Sequence, residues 1–157
     1  GLETVDLEPG STIAVDGLLP FSPLVCFEAA FAGHATDGSG EARWLANVTN
    51  DAWFGISSGP HQHAGMARMR SVESGLPLVR AANTGISLVT DAKGRVIASL
   101  PLGSMGTIDA SLPPALEAPP PATRMLWGAG MLIVFGLVIA GAAELLTRHR
   151  NFSATDR

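Results

Sequence analysis

The sequence predicts an α/β layered domain followed by a single membrane-spanning helix. Three observations carry this. Short apolar runs bounded by turn formers alternate with a segment of helical character, the pattern of strands with interposed helices. Met125 to Ala143 is a run of nineteen residues without a charge. Glu117 to Thr123 (EAPPPAT) separates the two as an extended, stiff, proline-rich link.

The elements follow in order. Thr12 to Val15 reads as a short strand ended by an Asp16-Gly17 turn. Leu24 to Phe27 is an apolar run between Pro23 and Glu28, the pattern of a buried strand. Phe31 to Glu41, with its three glycines Gly33, Gly38 and Gly40, reads as loop or frayed helix. Trp44 to Val48 is a second buried strand, and Thr49 to Pro60 a loop. Gln62 to Ser74 has helical spacing, with Met66, Met69 and Val72 along one side and Gly75 as the stop. Leu76 to Ala81 and Ile86 to Thr90 read as strands. Asp91-Ala92-Lys93-Gly94 is a hairpin turn, Arg95 to Leu100 the returning strand, and Gly106 to Ala110 one more edge strand. As a helix, the nineteen-residue run covers about 28 Å, close to the hydrocarbon thickness of a bilayer. Trp127 sits at its edge, where interfacial aromatics sit, and Arg148, Arg150 and Arg157 follow it while only Arg124 closely precedes it. The positive-inside rule then places residues 1–124 outside and the tail in the cytoplasm.

Composition narrows the function classes. Charged residues are 15% and apolar residues 46% of the 157, with a formal net charge of −4. Mean hydropathy is +0.28. This excludes a disordered chain and a basic nucleic-acid binder. One cysteine leaves no intrachain disulfide and no multi-cysteine zinc site, and there is one lysine, Lys93, and no tyrosine.

Cys26 leads the residues with chemistry to offer. It ends an apolar strand, where a cysteine is either a buried, inert small hydrophobe or a thiol presented at the rim of a sheet with free backbone N–H groups after it. Glu28, two residues on, is costly in a core strand unless paired or functional. The loop Asn50-Asp51-Ala52-Trp53-Phe54-Gly55 sets two aromatics among turn formers. Trp53 and Phe54 are core plugs, walls of an apolar pocket or contacts to a membrane surface. His61 and His63 form an H-x-H pair, but on a helix they point apart, so they read as surface residues and no metal site is expected. Arg68, Arg70 and Glu73 have the spacing of surface ion pairs.

Five blocks in order carry a resemblance. They are Val25-Cys26-Phe27-Glu28; Asn47 to Gly55 (NVTNDAWFG); Gly59-Pro60-His61-Gln62-His63; Met66 to Glu73 (MARMRSVE); and Arg80 to Ile86 (RAANTGI). With a terminal apolar span, they resemble the apolipoprotein N-acyltransferase family, a membrane-bound branch of the nitrilase superfamily. The resemblance runs from about Pro23 to the span.

The resemblance implies the C-terminal part of a nitrilase-like α-β-β-α sandwich over residues 1–118. A linker at 119–124, a transmembrane helix at 125–146 and a cytoplasmic tail at 147–157 complete the organisation. It implies a Glu-Lys-Cys triad in which Cys26 is the nucleophile and Glu28 an accessory acidic residue. Phe27, Asn50, Trp53 and Phe54 become substrate-pocket candidates; Phe27 keeps the ring of the family's frequent tyrosine without its hydroxyl. The family's base glutamate and lysine precede the cysteine, and none of the 25 residues before Cys26 is a lysine, so the chain is expected to be a piece of a longer enzyme, inactive alone. The implied reaction moves an acyl chain from a phospholipid, typically phosphatidylethanolamine, through a Cys26 thioester. The acceptor is the α-amine of an S-diacylglyceryl-cysteine lipoprotein at the bacterial inner membrane, with no cofactor and no nucleic acid involved. An amidase-like carbon-nitrogen hydrolase and a non-catalytic membrane-anchored fragment are the alternatives.

Overall fold

The computed structural model describes residues 8–117 and 133–141. The chain divides into two compact units, Gly1–Pro120 and Pro121–Arg157. The first is built on a mixed six-stranded sheet whose strands lie in chain order. They are β1 (Ile13–Val15), β2 (Leu18–Val25), β3 (Trp44–Asn50), β4 (Leu78–Asn83), β5 (Ser87–Thr90) and β6 (Val96–Leu100). β2, β3 and β4 are parallel, and the other pairs are antiparallel.

Parallel neighbours need a long crossover. The first begins with a 3-10 turn, Cys26–Ala30, and the second holds a 3-10 turn, Ala52–Phe54, and the helix α1, Gly59–Ser74. The C-terminal ends of β2, β3 and β4 therefore share one edge: Val25 pairs with Val48, Val48 with Ala81, and Asn50 with Asn83. In open α/β sheets this is the edge at which ligands bind.

α1 starts with Pro60 in its first turn, where the missing N–H is not needed, and stops at Gly75. Gly75 takes φ 69 and returns its N–H to the Ser71 carbonyl, as a left-handed cap requires. Its buried side carries Pro60, His63, Ala64, Ala67, Arg70 and Ser71. The side with Met66, Met69 and Val72 is exposed. The alanines let α1 lie close on the sheet, where Leu24, Leu45, Leu78 and Leu88 form the core. Each such leucine contributes about 1.5–3 kcal/mol by burial. The register puts Phe21, Pro23 and Val25 on the same face as Trp44, Ala46 and Val48, away from the side that carries Leu24 and Leu45. On that second face Val25 and Val48 are exposed.

Three elements differ from the sequence reading. β2 begins at Leu18 and ends at Val25, so the Leu24 to Phe27 strand is displaced, and Cys26 and Phe27 open the 3-10 turn instead. Pro20 and Pro23 break the apolar run that marks a strand. Pro23 is tolerated because β1 is three residues long and pairs no further along β2 than Phe21, which leaves the rest of β2 an edge on that side. Residues 106–110 are irregular, not a strand. That stretch leads back to the core, where Ala115 packs and the Leu116 N–H reaches the Gly75 carbonyl at 2.8 Å. Finally, Thr49 and Asn50 extend β3 rather than begin a loop.

Most of the expected transmembrane segment and the tail lie outside the described residues. Residues 133–141 are helical, with Ile133, Val134, Phe135, Leu137, Val138 and Ile139 exposed. No helix among the described residues is long and apolar enough to cross a membrane.

Candidate active site

Cys26 follows the last residue of β2 and opens the 3-10 turn. Its φ is 51. A residue with a Cβ meets its own carbonyl in this left-handed region, at a cost of roughly 1–2 kcal/mol, so the surroundings must hold it there. The turn is capped by Glu28, whose Oε2 accepts the Val25 N–H at 2.6 Å. The cap draws Glu28 back onto the chain before Cys26 and explains how a carboxylate is kept beside an apolar strand.

Beneath Cys26 lies a buried polar cluster drawn from β3, the loop after it, α1 and β4. Asn47, Asp51, His63 and Arg80 are each at most 2% exposed. Arg80 Nη2 donates to Asp51 Oδ2 at 2.7 Å, its Nη1 donates to Asn47 Oδ1, and its Nε donates to the Ile86 carbonyl at 3.2 Å. His63 Nδ1 lies 2.8 Å from Asp51 Oδ1, and its Nε2 lies 3.2 Å from the Cys26 carbonyl. Asn47 Nδ2 donates to the Leu24 carbonyl at 2.7 Å. The Thr49 hydroxyl stands 3.1 Å from Asp51 Oδ1 and 3.5 Å from Cys26 Sγ. That hydroxyl has one proton. While it donates to Asp51, its lone pair faces the thiol; turned the other way, it donates to a thiolate. Burial pushes the Arg80 guanidinium below its ordinary range, and the facing Asp51 carboxylate works against that shift.

The turn after β4 completes the cluster. Thr84 is the other non-glycine described at positive φ, 58. A Cβ on Gly85 would stand 2.5 Å from Asp51 Oδ2 and 2.9 Å from the Ala82 Cβ, so only glycine lets the backbone pass this close to the carboxylate.

The expected pocket residues take separate places. Phe27 is exposed, with its ring centroid 5.7 Å from both His63 and Phe31. Phe54 stands 5.9 Å from the His63 ring and 5.3 Å from Trp53, which is 73% exposed. Trp53 is therefore no core plug. Asn50 uses its Oδ1 to accept the Ala52 N–H and the Asn83 amide, each at 3.1 Å. Lys93 is exposed in the β5–β6 turn, which the antiparallel register sets at the opposite end of the sheet from Cys26.

The expectation of two surface histidines fails for His63. Asp51 sits four residues beyond Asn47, past the end of β3, and draws His63 inward. Arg70 is likewise buried, at 6% exposure, although it makes the expected pair with Glu73 at 2.9 Å. Arg68 instead reaches the Gly94 carbonyl. Thr49, Asp51, His63 and Arg80 were all missed as site residues. One signal was in plain view: Arg80 is a charge inside an apolar strand, which is affordable only with a buried counter-ion. Among the described residues no group of three or more His, Cys, Asp or Glu side chains is placed to hold a metal ion.

A free cysteine on a strained strand-to-helix turn, above a buried Asp-His-Arg cluster at the parallel edge of an α/β sheet, defines a thiol-bearing α/β domain. The family model for carbon-nitrogen hydrolases matches residues 2–119, and the chain belongs to that family. Within it, the chain is similar to proteins named apolipoprotein N-acyltransferase. The one from Bradyrhizobium diazoefficiens is 48% identical over 130 residues, covering 81% of this chain and 24% of that protein. The one from Rhodopseudomonas palustris is 55% identical over 94 residues, 60% of this chain and 18% of that one. The Brucella melitensis protein is 38% identical over 161 residues, 96% of this chain and 29% of that one. The chain thus spans about a quarter of the length of the curated relatives it matches.

Proposed function

We propose that this chain carries the nucleophile of an apolipoprotein N-acyltransferase, with Cys26 forming an acyl thioester. The observation that carries the reading is the geometry at Cys26: the chain's one cysteine, at positive φ on the edge of the parallel strands, with a hydroxyl at its sulfur. The names of the relatives supply the reaction class. The Cys26 thiolate attacks the ester carbonyl of a phospholipid such as phosphatidylethanolamine. The C–O bond breaks, the lysophospholipid leaves with the proton taken from the thiol, and the acyl group stays on sulfur. The α-amine of a diacylglyceryl-cysteine lipoprotein then attacks the thioester, giving up a proton and releasing the thiolate. A thiolate suits both halves because it is a good nucleophile and a good leaving group.

In this reading Phe27, Trp53 and Phe54 form an apolar rim that meets the acyl chains, and Glu28 holds the turn from which the sulfur acts. The exposed face with Val25 and Val48 is where the second sheet of an α-β-β-α sandwich packs. The apolar run from Met125 is a transmembrane helix in the inner membrane, with residues 1–124 periplasmic and the tail cytoplasmic. General-base and lysine functions come from outside the described residues: Lys93 is at the wrong end of the sheet, and Glu28 is engaged with Val25.

The test is mass spectrometry of a full-length enzyme carrying this segment after incubation with phosphatidylethanolamine. An acyl chain is expected in thioester linkage on Cys26, absent in Cys26→Ser and released by a diacylglyceryl peptide. A Cys26→Ser variant that transfers acyl groups at the parent rate would overturn the reading. The 157-residue chain alone is expected to show no turnover.

A further inference from the structure

The turn at Cys26 is gripped from below at two points. Asn47 holds the Leu24 carbonyl at 2.7 Å and His63 meets the Cys26 carbonyl at 3.2 Å. The Val25 and Phe27 side chains are exposed, and the remaining hold is the Glu28 cap on the Val25 N–H, on the outer side of the turn. His63 is buried; its Nε2 faces the Cys26 carbonyl, while its Nδ1 lies 2.8 Å from the Asp51 carboxylate and 3.3 Å from Arg80 Nη2, a donor that lets Nδ1 go bare when Nε2 carries the proton. A carbonyl only accepts, so the contact with Cys26 is a hydrogen bond only when Nε2 carries a proton. Asp51 is fixed in turn by Arg80 at 2.7 Å and stands 3.1 Å from the Thr49 hydroxyl. One carboxylate thus orients the ring that holds the Cys26 backbone and the hydroxyl that faces its sulfur.

We propose that His63 is a positioning residue for the thiol: oriented by Asp51, it donates from Nε2 to the Cys26 carbonyl and holds the left-handed turn that aims Sγ. This rests on Cys26 as the reactive thiol, but the aim of the sulfur can be read without any acyl substrate. Cys26 is the sole cysteine of the chain, so alkylation by iodoacetamide reports on it alone.

The experiment compares the alkylation rate of the 157-residue chain in detergent with that of His63→Ala and His63→Gln, each checked by far-UV circular dichroism. Loss of the grip should slow alkylation of folded His63→Ala by about tenfold, since small misplacements of a reacting group are costly in rate. His63→Gln keeps a side-chain N–H donor and should stay within about threefold of the parent. A purely structural role would instead speed labelling toward the rate of the urea-unfolded chain. That result, or parental rates in a folded His63→Ala, would overturn the proposal. Should the variants fail to fold, nitrogen NMR of the histidine-labelled parent decides: a proton on His63 Nε2 is expected, and a bare Nε2 overturns it. In a full-length enzyme, His63→Gln should keep KM for phosphatidylethanolamine, and His63→Ala should lower kcat. An alkylation defect in His63→Ala, in a parent without acyl transfer, would remove the acyltransferase reading and leave the positioning role standing.

Discussion

The domain holds two Asp-Arg pairs of nearly the same length in opposite surroundings. Asp51 and Arg80 meet at 2.7 Å with both side chains fully buried at the site end of the sheet. Asp91 and Arg95 meet at 2.6 Å in the hairpin at the other end, with side chains 15% and 77% exposed. Water can replace either partner of the hairpin pair. It cannot readily replace a partner in the buried cluster, where the pair is also bonded to Asn47, Thr49, His63 and the Ile86 carbonyl. The comparison separates a pair that decorates a turn from one on which the geometry of a site depends.

The largest effect should come from breaking the buried pair. Asp51→Ala leaves Arg80 charged and unpaired in the interior and should cost about 3–5 kcal/mol, read by urea unfolding. A loss under 1 kcal/mol would mean that water reaches the cluster. Next comes Gly85→Ala, whose Cβ would press on Asp51 Oδ2 at 2.5 Å. Such overpacking typically costs about 1–3 kcal/mol, and alkylation of Cys26 should change with it because Asp51 orients His63. Gly94→Ala strikes the hairpin where it meets the C-terminal half of α1, away from the site: φ is +72, and the Cβ would stand 2.8 Å from Val72 Cγ2. A cost of about 1–2 kcal/mol is expected from the left-handed backbone, with no change in Cys26 alkylation.

The smallest effect is that of the exposed pair. A double-mutant cycle on Asp91→Ala and Arg95→Ala should give a coupling of only about 0.2–1 kcal/mol, shrinking in salt. Slight burial pushes the Asp91 carboxyl up, but the Arg95 and Lys93 N–H groups and the Arg95 guanidinium outweigh it and hold it below its ordinary range. A carboxyl so depressed adds stability above its unfolded pKa and loses it as pH falls through the folded one. The coupling should therefore be full at neutral pH and fade in acid. A coupling that survived full protonation of Asp91 would show that it is not an ion pair.

Much of the fold was legible because its cues are local. The returning hairpin around Asp91 to Gly94, the helix ended by Gly75 and the strand from Trp44 are written in turn formers and periodicity. Cys26 was legible as well: it is the only thiol, and it stands at the end of an apolar run. β2 was largely hidden because prolines mask a strand whose tolerance for them depends on how short its neighbour β1 is. The irregular stretch at 106–110 was misread because an apolar-polar pattern does not reveal whether a partner strand is present.

The sequence by itself determined the α/β class, the thiol, the absence of any second cysteine and the apolar run near the C-terminus, since composition and spacing do not depend on the fold. Only the tertiary structure decided that His63 is buried while His61 is not, that Asp51 is a counter-ion rather than a turn former, and that Lys93 lies at the far end of the sheet. These are facts about which strand ends lie side by side. Asn47, Asp51, His63 and Arg80 span 33 residues between the first and the last, and nothing local in the chain says that one crossover folds them beneath a single cysteine.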